Sequence, residues 1–269
     1  MRIWYVCLLL FFLVISTILL LGSSQTTPSS NNKDREALLD LKSFITSDPS
    51  GALSSWGNGS SECTWTGVNC KNGGRVTELD LKALNLVGTI SPHIGNLTAL
   101  RSLYLHDNHF ASNIPNHLGR LHQLQLLNLS GNLLTGTIPP AFTNCTSLMT
   151  IDLSGNAISG GIPASMHLLQ KLRVLNMGKN QLDGSIPPSI GNLSLLSHLD
   201  VNTNNLTGEI PEAMGRLDHI QHLQLSITVG VVPNSLQDIG RASDGAERRP
   251  VAGGLGRSVS RHRRVTQNS

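Results

Sequence analysis

Residues 76–219 read, in rows of 24, VTELDLKALNLVGTISPHIGNLTA, LRSLYLHDNHFASNIPNHLGRLHQ, LQLLNLSGNLLTGTIPPAFTNCTS, LMTIDLSGNAISGGIPASMHLLQK, LRVLNMGKNQLDGSIPPSIGNLSL and LSHLDVNTNNLTGEIPEAMGRLDH. One unit of this length cannot bury its own apolar face, so a fixed period in this range predicts a stacked solenoid. A function is therefore expected on a surface that repeats.

Each position in the row has a physical role. Positions 1, 4 and 6, such as Leu124, Leu127 and Leu129, alternate along a short strand, and successive rows stack these strands into a parallel sheet. Position 13 is glycine in five rows and Ser112 in the second, which is typical of a turn with a permissive backbone. The Ile-Pro pair that follows fixes an extended segment and then allows a short helical turn.

Position 9 is asparagine in five of the six rows. Its amide both donates and accepts, so it can satisfy backbone groups where the chain leaves the sheet. The first row has Leu84 instead, and its bend must be satisfied in another way. We expect a structural ladder of Asn108, Asn132, Asn156, Asn180 and Asn204.

The N-terminal flank has two parts. Residues 1–24 carry one early charge, Arg2, then an apolar run and three small residues, which predicts a signal peptide cleaved after Ser24 or, if uncleaved, a signal anchor. Residues 25–75 form the expected cap, with a helix that Asp34 begins and whose apolar face covers the first row. That face comprises Ala37, Leu38, Leu41, Phe44 and Ile45.

The four cysteines have different expected roles. Cys63 and Cys70 predict a disulfide in an oxidising compartment, and the alternative of a zinc site would need two more ligands that are not nearby. Trp65 lies between them in sequence, and its large apolar ring is expected to pack on the first strand. Cys145 occupies an inward position and is expected to be a buried free thiol, whereas Cys7 lies in the leader.

The C-terminal flank loses the pattern in two steps. Residues 220–241 align as a degenerate seventh repeat if two residues are missing. The apolar, uncharged stretch 227–232 is expected to promote self-association. Residues 242–269 contain six arginines and two acids without periodicity, which predicts disorder. Residues 25–241 contain 13 basic and 15 acidic residues, so nothing indicates a nucleic-acid surface.

Taken together, the cap DREALLDLKSFITSDPSGALSSW, the motif CTWTGVNC and the repeat pattern LxxLxLxxNxLxGxIPxxLGxL resemble the ectodomains of plant leucine-rich-repeat receptor kinases and receptor-like proteins. The resemblance implies an α/β fold: a right-handed, curved leucine-rich-repeat solenoid with a parallel sheet on its inner face and a helical cap. It also implies binding of peptides, carbohydrate-derived signals or other ectodomains. The chain departs from the family in lacking a second cysteine pair, a later membrane-spanning segment and kinase motifs, as in a receptor truncated before those regions.

Recognition is expected at positions 3, 5, 7 and 8, which line the inner face at about 4.8 Å from repeat to repeat. For any single residue, a merely solvated face is an alternative of nearly equal weight. Tyr104 is the favoured anchor because it is an aromatic residue among polar neighbours. The candidate binding residues are Tyr104, His106, Asp107, Asn176, Lys179, His198, Asp200 and Asn202.

Six Asn-x-Ser/Thr sequons are candidate glycosylation sites, although the recurrent Asn-Leu-Ser/Thr sequence of the repeats produces such triplets easily. A glycan on Asn128, at position 5, would divide the inner face. The full set is Asn58, Asn96, Asn128, Asn144, Asn192 and Asn205.

Enzymatic function is not expected. The pairs His106/His109 and His219/His222 have helical spacing, but they lie on or just after strands, where that spacing does not converge on a metal. The sequence contains no serine elbow, paired-carboxylate cleft or HExxH motif, and it implies no cofactor and no metal.

Three functional hypotheses follow. The first is a non-enzymatic receptor-like ectodomain that binds a peptide or another ectodomain in plant signalling or defence. It would be secreted to the apoplast. It would be attached to a membrane only through a partner or through an uncleaved leader that anchors it in the plasma membrane. The second is a secreted inhibitor of microbial cell-wall hydrolases such as polygalacturonases. The third is a nonfunctional fragment of a receptor-kinase gene.

Overall fold

The computed structural model describes residues 30–71, 74–225, 257–259 and 265–267. The expected leader lies outside these residues, as does the seventh repeat beyond residue 225. Most of the expected disordered tail is also outside them; its two described segments, β15 (Arg257–Val259) and β16 (Val265–Gln267), pair antiparallel. No helix in the described part of the chain is long and apolar enough to cross a bilayer.

The repeats form the predicted solenoid, and their seven first strands build an eight-stranded sheet together with one strand of the cap. Its order is β14-β13-β11-β9-β7-β5-β3-β2, and all neighbours are parallel except β2 and β3. The strands are β2 (Val68–Lys71), β3 (Arg75–Asp80), β5 (Ser102–Tyr104), β7 (Leu126–Asn128), β9 (Thr150–Asp152), β11 (Val174–Asn176), β13 (His198–Asp200) and β14 (His222–Gln224).

A second, smaller sheet was not predicted from the sequence. Its order is β1-β4-β6-β8, and a separate pair, β10 with β12, continues the same part of later repeats. Backbone pairing there satisfies amides of positions 10–14 that are otherwise left without a helix or strand. The strands are β1 (Ile45–Ser47), β4 (Val87–Thr89), β6 (His109–Asn113), β8 (Leu133–Thr135), β10 (Ser159–Gly160) and β12 (Gln181–Leu182).

Each Ile-Pro or Ser-Pro segment leads into a one-turn 3-10 helix, as predicted, and the helices end before the inward residue at position 22. They span Pro92–Asn96, Asn116–Arg120, Pro140–Asn144, Ala164–Leu168, Pro188–Asn192 and Glu212–Arg216. The core runs through all repeats as one apolar cluster, with no position from the predicted inward set exposed. The third repeat shows the pattern with Leu124, Leu127, Leu129, Leu134, Ile138, Phe142 and Cys145.

The asparagines of position 9 each serve the repeat before their own. Asn132 Oδ1 accepts from Phe110 N at 2.9 Å, and its Nδ2 donates to Leu105 O at 3.0 Å, as well as to two carbonyls of its own bend. In the same way Asn108 serves the first repeat through Leu84 N and Leu86 N. The first repeat therefore needs no asparagine of its own at Leu84 for these groups, because the next repeat supplies one.

Position 13 has positive φ in all six repeats, which agrees with the permissive turn that its glycines predict. Even Ser112, which replaces the glycine, has φ 71°, and Gly136 in the next repeat has φ 75°. A side chain at this φ is strained by roughly 1–2 kcal/mol. The turn is therefore imposed by the stacking of the repeats and not by the residue type alone.

The cap differs from prediction at both ends of its helix, α1 (Ser30–Ser43). Asp34 was predicted to begin the helix, but α1 begins four residues earlier and Asp34 lies within it. Phe44 and Ile45 were placed on its buried face; Phe44 is 38% exposed, and Ile45 starts β1, which pairs with β4. The helix thus ends before Asp48 and Pro49, because the chain from Ile45 to Ser47 pairs as a strand with the first repeat instead of continuing the helix.

Asp34 instead joins the cap to the first repeat. Its carboxylate is fully buried and accepts from Arg75 Nε at 2.7 Å, Arg75 Nη2 at 2.8 Å and Val76 N at 2.9 Å. This contact raises the pKa of the Arg75 guanidinium. A second junction is formed by Asp40, which accepts from Ser91 Oγ and contacts His93 Nδ1 at 2.8 Å.

The predicted disulfide between Cys63 and Cys70 is confirmed, with the two Cα atoms 5.4 Å apart. Trp65 stacks on Trp56 with ring centroids 5.6 Å apart, and the Arg35 guanidinium lies 4.8 Å from the centre of the Trp65 ring. Both tryptophans are buried. They extend the apolar core of the repeats into the cap.

Candidate ligand-binding face

The large sheet has one side in the core and one side toward solvent, and the second side is called the inner face. In-register pairing aligns equivalent positions of successive repeats into rows that run across the strands. Row 3 contains Glu78, Ser102, Leu126, Thr150, Val174, His198 and His222. Row 5 contains Asp80, Tyr104, Asn128, Asp152, Asn176, Asp200 and Gln224.

Tyr104, the favoured anchor, lies in row 5 and is half-buried. Lys82 Nζ lies 5.5 Å from the centre of its ring, and the His106 ring meets it edge-on at a centroid distance of 6.1 Å. Lys82 is held there by Asp80 Oδ2 at 2.8 Å, a contact that raises the pKa of the lysine. The aromatic ring is therefore part of an ordered polar cluster and not a freely projecting side chain.

Asp107 and Lys179 occupy position 8, where the chain bends away from the sheet. Both are exposed and both have φ 56°, the left-handed region that is adopted by Gly131 and Gly155 in the intervening repeats. Their side chains stand at the rim of the inner face. The structure thus separates these two candidates from those in rows 3 and 5.

The remaining candidates lie together at the C-terminal end of the inner face. Asp200 accepts from Asn202 N at 2.9 Å, and Asn202 Nδ2 donates to Gln224 Oε1 at 2.6 Å. Burial raises the pKa of the Asp200 carboxyl, which is only partly offset by the hydrogen bond from Asn202. The Asn202 Oδ1 atom is enclosed and has no donor, as is the His106 Nδ1 atom in the second repeat.

His198 and Asn176 complete the predicted set. The His198 ring is exposed and lies 5.7 Å, centroid to centroid, from the ring of His222 on the next strand. Asn176 is tied into the face by its Nδ2, which donates to Ser154 Oγ at 3.3 Å. The fifth, sixth and seventh repeats therefore contribute to one polar surface. Its side chains contact one another across the strands, so the surface is better described by rows than by single residues.

Sequence reasoning missed the residues between these sets. Leu126 and Val174 are the apolar residues of row 3, and they are half-buried, as is Thr150 between them. Gly178 stands at position 7, where two other repeats have serine; it is buried, and Asn202 and Asp200 pack so closely against it that a Cβ would lie 2.9 Å from Asn202 Oδ1. The aligned rows contain the signal, because position 3 is apolar in the third and fifth repeats and polar in the others.

The sequons divide between the two sides of the solenoid. Asn96, Asn144 and Asn192 each end a 3-10 helix, so they lie on the side opposite the sheet. Asn128 lies in row 5, where its Oδ1 accepts from Ser130 N and Ser130 Oγ at 3.0 and 2.7 Å. The remaining two sequons, Asn58 and Asn205, are exposed. Glycosylation of any of them stays a prediction.

A separate groove lies beside the small sheet, away from the inner face. Its volume is about 400 Å³, and its walls come from the end of α1 and the first three repeats. Phe44, Ile90, Pro92, Ile114 and Pro139 provide most of its apolar lining. It contains no side chain from the predicted binding set.

The described residues include no group of three or more His, Cys, Asp or Glu side chains placed to hold a metal ion. Cys145 is a free, buried thiol that donates to Leu118 O at 3.2 Å, and burial raises its pKa to about 11. A thiol in this environment is a poor nucleophile, since the thiolate is the reactive form. Its position fits the predicted packing role.

Family models match most of the cap and the repeats. The leucine-rich-repeat N-terminal domain matches residues 31–71, and the leucine-rich repeat matches 99–121, 123–145, 147–169, 171–193 and 195–217. A putative receptor-like protein kinase of Arabidopsis thaliana is 46% identical over 83 residues, which are 30% of this chain and 8% of the relative. The chain therefore spans less than a tenth of that relative.

Two solved structures extend the comparison to the fold. The leucine-rich-repeat ectodomain of the Arabidopsis receptor kinase SOBIR1 is 30% identical with a TM-score of 0.56, and the match covers 65% of this chain and 94% of that one. The Arabidopsis receptor kinase HAESA, in complex with the peptide hormone IDA and the co-receptor SERK1, is 30% identical with a TM-score of 0.61. That match covers 78% of this chain and 40% of HAESA.

Proposed function

Because the chain belongs to the plant leucine-rich-repeat receptor family, we propose that it is a non-enzymatic extracellular module that binds a peptide or a partner receptor ectodomain through its inner face. The observation that carries the proposal is the inner face itself. Seven parallel strands present aligned rows of aromatic, amide, carboxylate and imidazole groups that the core does not use.

The solved relative supports the class of partner. HAESA was solved with a peptide hormone and a co-receptor, so this type of solenoid accommodates both kinds of protein ligand. A pre-formed sheet loses little conformational entropy on binding, and half-buried aromatic and polar side chains are the usual anchors of such interfaces. Secretion to the apoplast and a role in signalling or defence belong to the same proposal.

The disulfide of the cap favours an oxidising compartment, where such bonds persist. The buried Cys145 adds no nucleophile, and the described residues contain no convergent metal ligands. Ligand recognition accounts for the aligned rows of side chains on the inner face, and it requires no catalytic group among them.

The test is binding of the purified, secreted chain to a panel of plant leucine-rich-repeat ectodomains and to a library of synthetic peptides, measured by biolayer interferometry. Tyr104→Ala should weaken binding, whereas Tyr104→Phe should retain most of it because the ring contacts with Lys82 remain. Leu168→Ala is the matched control, since Leu168 is 50% exposed on a 3-10 helix away from the inner face.

Absence of any partner across both panels, or equal effects of Tyr104→Ala and Leu168→Ala, would contradict the proposal. An assay with fungal polygalacturonase distinguishes the hydrolase-inhibitor role, and we expect no inhibition there. The two results together separate recognition in signalling from defence by enzyme inhibition.

A further inference from the structure

The groove beside the small sheet differs from the inner face in how its polar side chains are used. On the inner face such side chains bond to one another, as Asn128 does to Ser130 and Asn202 to Gln224. In the groove, several hydroxyl, amide and imidazole side chains make no hydrogen bond to any described residue. These are Thr89, Ser112, Asn116, His117 and Thr137.

The second repeat departs from the pattern of the other repeats at three positions, and all three line the groove. Residues 112–116 read SNIPN, whereas residues 136–140, at the same positions of the third repeat, read GTIPP. Ser112, Asn113 and Asn116 thus stand where the third repeat has glycine, threonine and proline. The polar departures of this segment are therefore concentrated on one surface.

Ser112 is the most informative of the three. It has φ 71°, in the left-handed region where the other five repeats have glycine and where a side chain is unfavourable. Its side chain is exposed in the groove and has no hydrogen-bond partner among the described residues. Strained residues of this kind cluster at ligand-binding and catalytic sites. A ligand that bonds to the hydroxyl accounts for a serine that the stability of the fold does not.

The groups around the groove are held by the fold. Asn113 Oδ1 accepts from Thr135 Oγ1 at 3.3 Å, and a Cβ on Gly136 would lie 2.4 Å from the same oxygen, so the glycine makes room for the amide. At the end of α1, Phe44 O accepts from Thr89 N at 3.0 Å, which fixes the backbone that carries the phenyl ring. A site formed in advance loses little conformational entropy when a ligand binds.

The chemistry of the lining indicates the class of ligand. Phe44 is 38% exposed and supplies an aromatic ring, three prolines supply rigid apolar surface, and no Lys, Arg, Asp or Glu lines the groove. A pyranose sugar matches this combination. It has hydroxyl groups that donate and accept along its edge, and a face of C–H groups that can pack on an aromatic ring. The volume of about 400 Å³ is in the range of small-ligand sites.

We propose that the groove binds a neutral oligosaccharide, with one sugar ring packed on Phe44 and sugar hydroxyls bonded to Ser112, Asn113 and Asn116. The site goes beyond the proposed function, because it lies on another surface and takes another class of ligand. Acidic sugars are disfavoured, since the lining offers no cation to pair with a carboxylate that loses its water.

The experiment is calorimetric titration of the full chain with neutral tetrasaccharides at millimolar concentration. The probes are cellotetraose, xylotetraose, mannotetraose and tetra-N-acetylchitotetraose, and tetragalacturonate is the charged comparison. We expect at least one neutral probe to bind and tetragalacturonate to bind more weakly or not at all.

Ser112→Gly removes one neutral hydrogen bond and should weaken binding about three- to tenfold. The same substitution relieves the backbone at this position, so the urea midpoint should rise while the affinity falls. A loss of binding in a more stable variant cannot result from unfolding.

Two further variants test the other walls of the groove. Combining Ser112→Gly, Asn113→Thr and Asn116→Pro gives the second repeat the GTIPP sequence of the third and should lower the affinity at least about tenfold. Phe44→Ala should lower it about tenfold through loss of the ring. Leu133→Ala is the matched control and should leave binding unchanged, since Leu133 is 55% exposed near the groove but does not line it.

Three results would overturn the inference: binding of none of the neutral probes, tighter binding of tetragalacturonate, or unchanged binding by the triple variant. Equal effects of Phe44→Ala and Leu133→Ala would do the same. Each of these results leaves the proposed function untouched, because partner binding by the inner face is measured separately. Circular dichroism of each variant checks that the fold is retained.

Discussion

The pairing of Asp34 with Arg75 makes an asymmetric prediction about the junction between the cap and the first repeat. The Asp34 carboxylate is fully buried, whereas the Arg75 side chain is 22% exposed. Arg75→Ala leaves a buried carboxylate with Val76 N as its remaining described partner, a change that typically costs about 3–5 kcal/mol. Asp34→Asn keeps a hydrogen-bonding group near Val76, and Arg75 can be hydrated, so we expect about 1–3 kcal/mol.

The assay is urea unfolding followed by tryptophan fluorescence. Trp56 and Trp65 stack within the cap, so their emission reports on this region and not on distant repeats. That matters because solenoids can unfold in parts. Lys82→Ala is the control, since Lys82 forms an exposed ion pair with Asp80 that solvent screens and that should contribute little to stability.

The expected order of destabilisation is Arg75→Ala, then Asp34→Asn, then Lys82→Ala. The double variant of Asp34→Asn with Arg75→Ala should be less destabilised than Arg75→Ala alone, because it no longer contains the buried Asp34 carboxylate that has lost its cationic partner. If Arg75→Ala costs no more than Asp34→Asn, the buried charge is not the reason for the effect and the reasoning is refuted.

Three further predictions concern single residues. Ser112→Gly should raise the free energy of unfolding by about 1 kcal/mol because it relieves a left-handed backbone, while Gly136→Ala at the equivalent position should lower it; urea midpoints check both. Cys145 should not react with Ellman's reagent at pH 8 until the protein is unfolded, because its pKa is raised to about 11; rapid labelling of the native protein would contradict this. The pKa of Asp40 is lowered, chiefly by Ser91, so its small stabilising contribution should be present above its ordinary pKa near 4 and disappear as the pH falls through the folded pKa; comparing urea midpoints of wild type and Asp40→Asn at pH 3 and pH 6 tests the sign.

The repeated part of the fold could be predicted because equivalent positions of each repeat carry residues that meet the same backbone requirement. Position 13 calls for a left-handed backbone and position 9 for an amide, and the structure shows both, including the exceptional Ser112. The disulfide was predictable because two close cysteines in a chain that is predicted to be secreted have few alternatives. These features depend on local geometry or on the fixed period.

The junctions and surfaces could not be predicted in the same way. Asp34 looked like a helix cap because local spacing cannot reveal that Arg75, 41 residues later, lies against it. Ile45 looked helical because its pairing with Gly88 depends on where the cap docks. On the inner face, the contact of Lys82 with Tyr104 and the close packing of Asp200 against Gly178 depend on register between repeats, which composition does not encode.

The asparagine ladder has a direction, and that direction bears on how the chain is made. Since Asn132 closes the bend of the repeat before it, a repeat emerging from the ribosome stays incomplete until the first nine residues of the next repeat have followed. Folding during synthesis should therefore lag behind elongation by at least that part of a repeat. Whole repeats added on the C-terminal side bring the amide that completes their predecessor, so a solenoid of this kind can change length in evolution without alteration of its N-terminal interior.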